Sequence, residues 1–114
     1  MRTAHFLRLP ITTSQDLSVA ALSYTTTIAR RFKLEELTIH FSQNVTETIT
    51  ITRDSGSGAN YDTVLVKRSL AAEQDFVFRP QGECNFLATD ALKVACTNAG
   101  GVGICYCEIK LSEM

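Results

Sequence analysis

Residues 31–70 read Arg31-Phe-Lys-Leu-Glu-Glu-Leu-Thr-Ile-His-Phe-Ser-Gln-Asn-Val-Thr-Glu-Thr-Ile-Thr-Ile-Thr-Arg-Asp-Ser-Gly-Ser-Gly-Ala-Asn-Tyr-Asp-Thr-Val-Leu-Val-Lys-Arg-Ser-Leu70. Leu37, Ile39 and Phe41 alternate with Thr38 and His40, and Ile49 and Ile51 alternate with Thr48, Thr50 and Thr52. Period-two alternation in runs rich in Thr, Ile, Val and aromatics is the mark of a half-buried strand. Leu34-Glu-Glu-Leu37 has helical spacing, but Thr38-Ile-His-Phe41 behind it favours a strand over residues 32–42. Gln43-Asn44 then makes a turn into a second strand over Thr46–Arg53. The loop Asp54–Asn60 has two glycines, which suit a hairpin connection, and Tyr61–Ser69 forms a third strand.

Working outward, His5–Leu9 is a short strand or arm closed by Pro10. Ile11–Leu17 reads as polar and turn-like, because Thr12, Thr13, Ser14 and Asp16 can bond their own backbone. Ser18–Ala29 is extended, small and Thr-rich, either a first strand of the domain or an arm that orders against a neighbour. On the other side, Asp75–Phe78 is a short strand ended by Arg79-Pro80, and Cys84–Leu87 pairs briefly. Asp90–Thr97 is a strand with Leu92, Val94 and Cys96 on one face. Asn98–Gly101 reads as a hairpin turn into Val102–Leu111, where Cys105, Cys107, Ile109 and Leu111 share a face. Short strands at about ten-residue spacing, without a helix, predict a single-domain, all-β antiparallel sandwich. A jelly roll of about eight strands is the preferred version. Residues 1–30 would supply an N-terminal arm or first strands, and residues 31–114 the β-sandwich domain.

Composition excludes several function classes. The 114 residues carry a net charge of −1, with 45% apolar and 20% charged residues. That describes an ordinary folded domain without the basic field that nucleic-acid binding needs. No apolar run is long enough to span a bilayer. Residues 1–22 are interrupted by Thr12, Thr13, Ser14, Gln15 and Asp16, so no export signal is expected. The expected compartment is therefore reducing, and Asn44-Val-Thr46 is read as a turn rather than a glycan acceptor.

The residues that could carry chemistry have simpler structural uses. Cys96, Cys105 and Cys107, with Cys84, could bind zinc or form a Cys96–Cys105 disulfide. However, residues i and i+2 of a strand lie about 6–7 Å apart, and the spacing is not that of a zinc knuckle. Buried core thiols are the favoured reading. His5 and His40 are the only histidines. His40 is out of phase with Ile39 and Phe41 and so faces solvent, and neither histidine has an acid beside it in sequence, as a nucleophilic site would need. The loop Asp54–Asp62 is loosely like a calcium loop but lacks the acid order of an EF-hand. Phe76, Phe78 and Phe86 fill the core more simply than they would line a sugar platform. No catalytic residue, cofactor site or metal site is therefore expected.

A resemblance goes further. Leu37-Thr-Ile-His-Phe-Ser42, Thr46-Glu-Thr-Ile-Thr-Ile-Thr-Arg-Asp-Ser55 and Gly58-Ala-Asn-Tyr-Asp-Thr-Val-Leu65 resemble small β-sandwich structural proteins of tailed bacteriophage virions. Phe78-Arg-Pro80, Asp90-Ala-Leu-Lys-Val-Ala95 and Thr97-Asn98 continue in the same order, so the likeness covers residues 32–111. It implies a non-enzymatic virion component: a capsid decoration protein, a head fibre, or a neck or tail accessory. Such a protein would be made in the host cytoplasm, would partner other virion proteins and would form a homo-oligomer such as a trimer. The cysteine-rich last segment departs from that pattern. The alternative is a carbohydrate- or receptor-binding module using the Asp54–Asn60 loop and exposed Tyr24, Tyr61 or Tyr106; the absence of Trp counts against it.

Overall fold

Among the described residues, nine strands divide between two antiparallel sheets. In the computed structural model, which describes residues 8–113, β1 is Arg8–Asp16, β2 Leu22–Thr26, β3 Phe32–Val45 and β4 Thr48–Asp54. A short 3₁₀ turn at Ala59–Tyr61 leads into β5, Thr63–Ser69. Then come β6 Glu73–Phe78, β7 Asn85–Phe86, β8 Ala91–Cys96 and β9 Ile104–Glu113. One sheet has the order β1-β9-β3-β6, with β7 added against the start of β3. The other has the order β2-β8-β4-β5. The first four strands alternate between sheets, β4 and β5 form a hairpin, and β8 hands back to β9 across the core. With β7 set aside, this is the two-Greek-key winding of an eight-stranded jelly roll.

The alternation in the sequence is what closes the two sheets on each other. On β9, Cys105, Cys107, Ile109 and Leu111 point inward, opposite Phe41, Ile39, Leu37 and Leu34 of β3. From the other sheet come Ile49 and Ile51 of β4, and Leu92, Val94 and Cys96 of β8, all buried. Every buried Leu, Ile or Phe contributes about 1.5–3 kcal/mol, and the buried residues of both sheets belong to one continuous cluster. Phe32 and Phe86 stack with ring centroids 4.6 Å apart, which fastens the short β7 to β3.

Four expectations need correction. Residues 11–16 are not a turn: they continue β1, paired with β9 from Arg8↔Ser112 to Asp16↔Ile104. The segment reads as polar because β1 is an edge strand, where Ile11, Thr13 and Gln15 are only half-buried and Thr12, Ser14 and Asp16 lie in water. Pro10 does not end this strand but sits inside it, as an edge permits. Gln43 and Asn44 belong to the end of β3 rather than to a turn. The Asn98–Gly101 segment is not a hairpin turn, because β8 pairs with β2 and β4 while β9 pairs with β1 and β3. Residues 8–16 and 22–26 are strands of the sandwich, with Leu17 and Leu22 in its core. His5 lies outside the described residues.

A buried carboxylate fastens one end of the sandwich. Glu47, between β3 and β4, is only 2% exposed. Its Oε1 accepts the Thr97 hydroxyl at 2.6 Å and the Ala99 N–H at 3.0 Å, and its Oε2 accepts the Gly100 N–H at 2.8 Å. One side chain thus satisfies the backbone of the β8–β9 crossover, which no ladder can. Glu47→Ala leaves those donors unpaired and is expected to cost about 3 kcal/mol. Glu47→Gln, which presents an amide donor to a group that is already a donor, is expected to cost part of that. Chemical denaturation should show lower midpoints at unchanged slope.

Candidate functional site

Three places hold the residues that the sequence singles out. The first is the solvent face of the β1-β9-β3-β6 sheet. His40 points outward, as its phase requires, and β3–β6 pairing sets it opposite Asp75. Its Nδ1 lies 2.6 Å from Asp75 Oδ1, a pairing that sequence distance conceals. Tyr106 stacks beside it with centroids 6.4 Å apart. His40 and Tyr106, with Thr12, Ser14, Thr38 and Glu108, line a shallow, open depression of about 480 Å³.

A histidine oriented by a carboxylate suggests a nucleophilic triad, but the cross-strand order is wrong. Ser14 is opposite Tyr106, and Tyr106 is opposite His40. Ser14 and His40 are therefore two strands apart, about 9–10 Å, too far for the hydrogen bond that activates a hydroxyl. The His40 and Asp75 side chains are 55% and 69% exposed, so water screens their attraction. The pair is an exposed cross-strand contact that Ser14 does not reach.

The second place is the thiol cluster. Cys96 and Cys105 meet across the core from opposite sheets, and Cys107 lies one inward position along β9; all three are buried free thiols. Cys84 is elsewhere. Its carbonyl accepts the N–H of Leu34, whereas Cys105 pairs with Phe41, about 23 Å further along β3. Cys84 cannot complete a four-thiolate metal site with the others. Hydrogen bonding to Cys105, burial and the neighbouring Glu47 charge hold Cys96 well above the ordinary thiol range. Burial, aided by Glu108, pushes Cys107 up to about 12. Thiolate is the form that binds metal and attacks disulfides, so these groups are chemically quiet.

The third place is the end of the sandwich where β4 turns into β5. Asp62 Oδ1 accepts the Ser55 N–H at 2.8 Å, and Ser55 Oγ accepts the Ser57 N–H at 3.0 Å. Asp90, 5% exposed, accepts the Gly56 N–H at 3.0 Å on Oδ1 and the Leu87 N–H at 2.9 Å on Oδ2. A Cβ on Gly56 would lie 2.6 Å from the Thr89 carbonyl oxygen, so only glycine lets the loop press this closely onto the β7–β8 turn. Of the loop Asp54–Asp62, which the sequence offers as loosely calcium-like, Asp62 is thus engaged by a backbone amide, and Asp90 beside it by two more. Among the described residues no group of three or more His, Cys, Asp or Glu side chains is arranged to hold a metal.

Of the tyrosines, Tyr61 is 65% exposed at this end and Tyr106 46% exposed on the sheet face, while Tyr24 is half-buried against the core. Tyr24 is therefore corrected from a surface aromatic to a packing residue: its register opposite Val94 turns it inward. Phe76 and Phe86 are core residues and Phe78 packs at the margin.

The thiols give a pH test. Above about 9, a thiol freed by unfolding loses its proton while Cys107 in the folded chain keeps its own until about 12. The folded state then binds more protons than the unfolded one, so stability falls as pH rises through that window. Cys107→Ala is expected to flatten the alkaline decline, read as denaturation midpoints between those pH values. At pH 8 a thiol reagent should leave Cys96, Cys105 and Cys107 untouched until denaturant is added.

No protein-family model matches the chain, and no curated protein matches it.

Proposed function

We propose that the protein is a non-enzymatic structural component of a tailed-phage virion, working by assembly with copies of itself and with neighbouring capsid or neck and tail proteins. The observation that carries this reading is the condition of the four sheet edges. An exposed edge offers unpaired N–H and C=O groups to another chain, and monomeric proteins blunt such edges with proline, brevity or charge. β1 contains Pro10, β2 is only five residues long, and the six-residue β6 carries the acids Glu73 and Asp75. β5 spans seven residues without proline and pairs only with β4.

Chemistry along β5 favours a specific contact over indiscriminate aggregation. Val64 is 58% exposed, and Leu65 and Val66 are half-buried, which gives an apolar first half. Lys67 and Arg68 in the second half limit which chains can approach. Arg68 also lies over the Phe76 ring at 5.9 Å and pairs with Glu73 at 3.1 Å. A strand added to β5 would extend the β2-β8-β4-β5 sheet by backbone hydrogen bonds, with Val64 supplying the apolar contact. The resemblance of residues 32–111 to virion β-sandwich proteins points to the same kind of role.

Light scattering of the purified chain across a concentration series tests this. The expected result is a discrete oligomer that Val64→Lys converts to monomer without lowering the thermal midpoint, because that side chain is already in water. A monomer at all concentrations up to about 1 mM, the weakest range a specific contact occupies, would count against self-assembly through this edge.

A further inference from the structure

We propose that the β4–β5 end of the sandwich is a binding site for an acidic sugar, with Arg31 and Arg53 holding the anionic group and Tyr61 the ring. The site is separate from the exposed edge of β5 and does not depend on the assembly reading. An open basin of about 460 Å³ lies there, lined by Arg31, Arg53, Ser55, Ser57, Tyr61, Asn85, Leu87 and Asp90. Its size is within the range that small-molecule sites occupy.

The charge of the basin sets the ligand's sign. Neither Arg31 nor Arg53 has a carboxylate partner among the described residues, whereas Arg30, Arg68 and Arg79 each have one. Arg53 is held by a 3.2 Å bond from Nη2 to the Thr63 hydroxyl. It sits at the last inward-facing position of β4, opposite Leu92, so its guanidinium occupies the mouth between the sheets where an apolar residue would otherwise close the core. The one acid in the lining, Asp90, has both oxygens on backbone N–H groups. Of the charged groups in the lining, the two arginines are the ones with donors left for a ligand. Guanidinium groups favour the planar, two-oxygen geometry of a carboxylate.

The neutral residues specify more than an anion. Tyr61 and Leu87, 65% and 55% exposed, form an apolar border against which the C–H face of a sugar ring can lie. Ser55, Ser57 and Asn85 supply groups that can bond ring hydroxyls. The loop needs little reorganisation: Asp62, Asp90 and the close packing of Gly56 on Thr89 already fix its path. A preformed site keeps the ordering cost of binding low.

The test is an amide-shift titration of the isotope-labelled full chain with N-acetylneuraminic acid, with glucuronic acid, with the methyl ester of each, and with sulfate. At least one acid is expected to give saturable shifts at Ser55, Ser57, Tyr61 and Asn85, with a Kd of about 1 mM or tighter. Its ester and sulfate should bind about tenfold more weakly or worse, since one loses the charge and the other the ring. Arg31→Ala and Tyr61→Ala, both at exposed side chains, should each weaken binding about tenfold with the thermal midpoint unchanged. The proposal fails if neither acid saturates by about 20 mM, if the esters bind equally well, or if sulfate matches the acids. It also fails if the shifts centre on His40 and Tyr106.

Discussion

Two buried carboxylates, one at each end of the sandwich, allow the strands to change sheets. A jelly roll requires its chain to leave one sheet and enter the other repeatedly, and each crossover strips backbone N–H groups of ladder partners. Buried donors left unpaired cost about 1–3 kcal/mol each. Glu47 collects the β8–β9 crossover at one end, and Asp90 ties the β4–β5 loop to the β7–β8 turn at the other. Among the described residues every buried side-chain nitrogen and oxygen has a hydrogen-bond partner. The apolar faces provide the driving force for closure, but they do not specify how loops cross. The carboxylates do.

This division explains what was legible in the sequence. The inward faces of β3, β4, β8 and β9 follow from alternation alone, because Leu37, Ile39, Phe41, Ile49, Ile51, Val94, Ile109 and Leu111 have no polar interruption of phase. Alternation also put His40 in solvent and the three thiols of Cys96, Cys105 and Cys107 in the core. The sheet that each strand joins was not legible, since a period-two pattern says which side is buried and nothing about the neighbour. Hence the misreading of Asn98–Gly101. The turn chemistry there is genuine, with Gly101 at a positive φ of 62°, but it serves a crossover between sheets rather than a hairpin. β1 was hidden for a different reason: an edge strand half in water can be built from Thr, Ser and Gln, which also favour turns.

The sites were less legible than the fold. His40 and Asp75 are 35 positions apart and meet only through the β3–β6 register, and Arg31 and Arg53 share a basin only once β3 and β4 run in opposite sheets. Nothing in the local sequence marks Glu47 as buried. One signal was available: it stands between Val45 and Ile49, both core residues, where a carboxylate survives burial only if it is fully hydrogen-bonded.

The distribution of ion pairs gives the surface a character that net charge conceals. A net charge of −1 suggests no field worth using. Yet Glu36 serves both Arg79 and Lys110, Glu73 serves Arg68, Glu113 serves Arg30, and Glu47, Asp62 and Asp90 are committed to backbone or hydroxyl donors. Acids engaged in this way keep their charge but have few oxygens left for direct contact with a ligand. Among the described residues the cations without such partners are Arg31, Arg53, Lys67 and Lys93. Lys67 and Lys93 lie on the outer face of the β2-β8-β4-β5 sheet, and Arg31 and Arg53 at its β4–β5 end. Arg31 and Arg53 thus stand at the loops with guanidinium donors open to short-range bidentate contact with an anion.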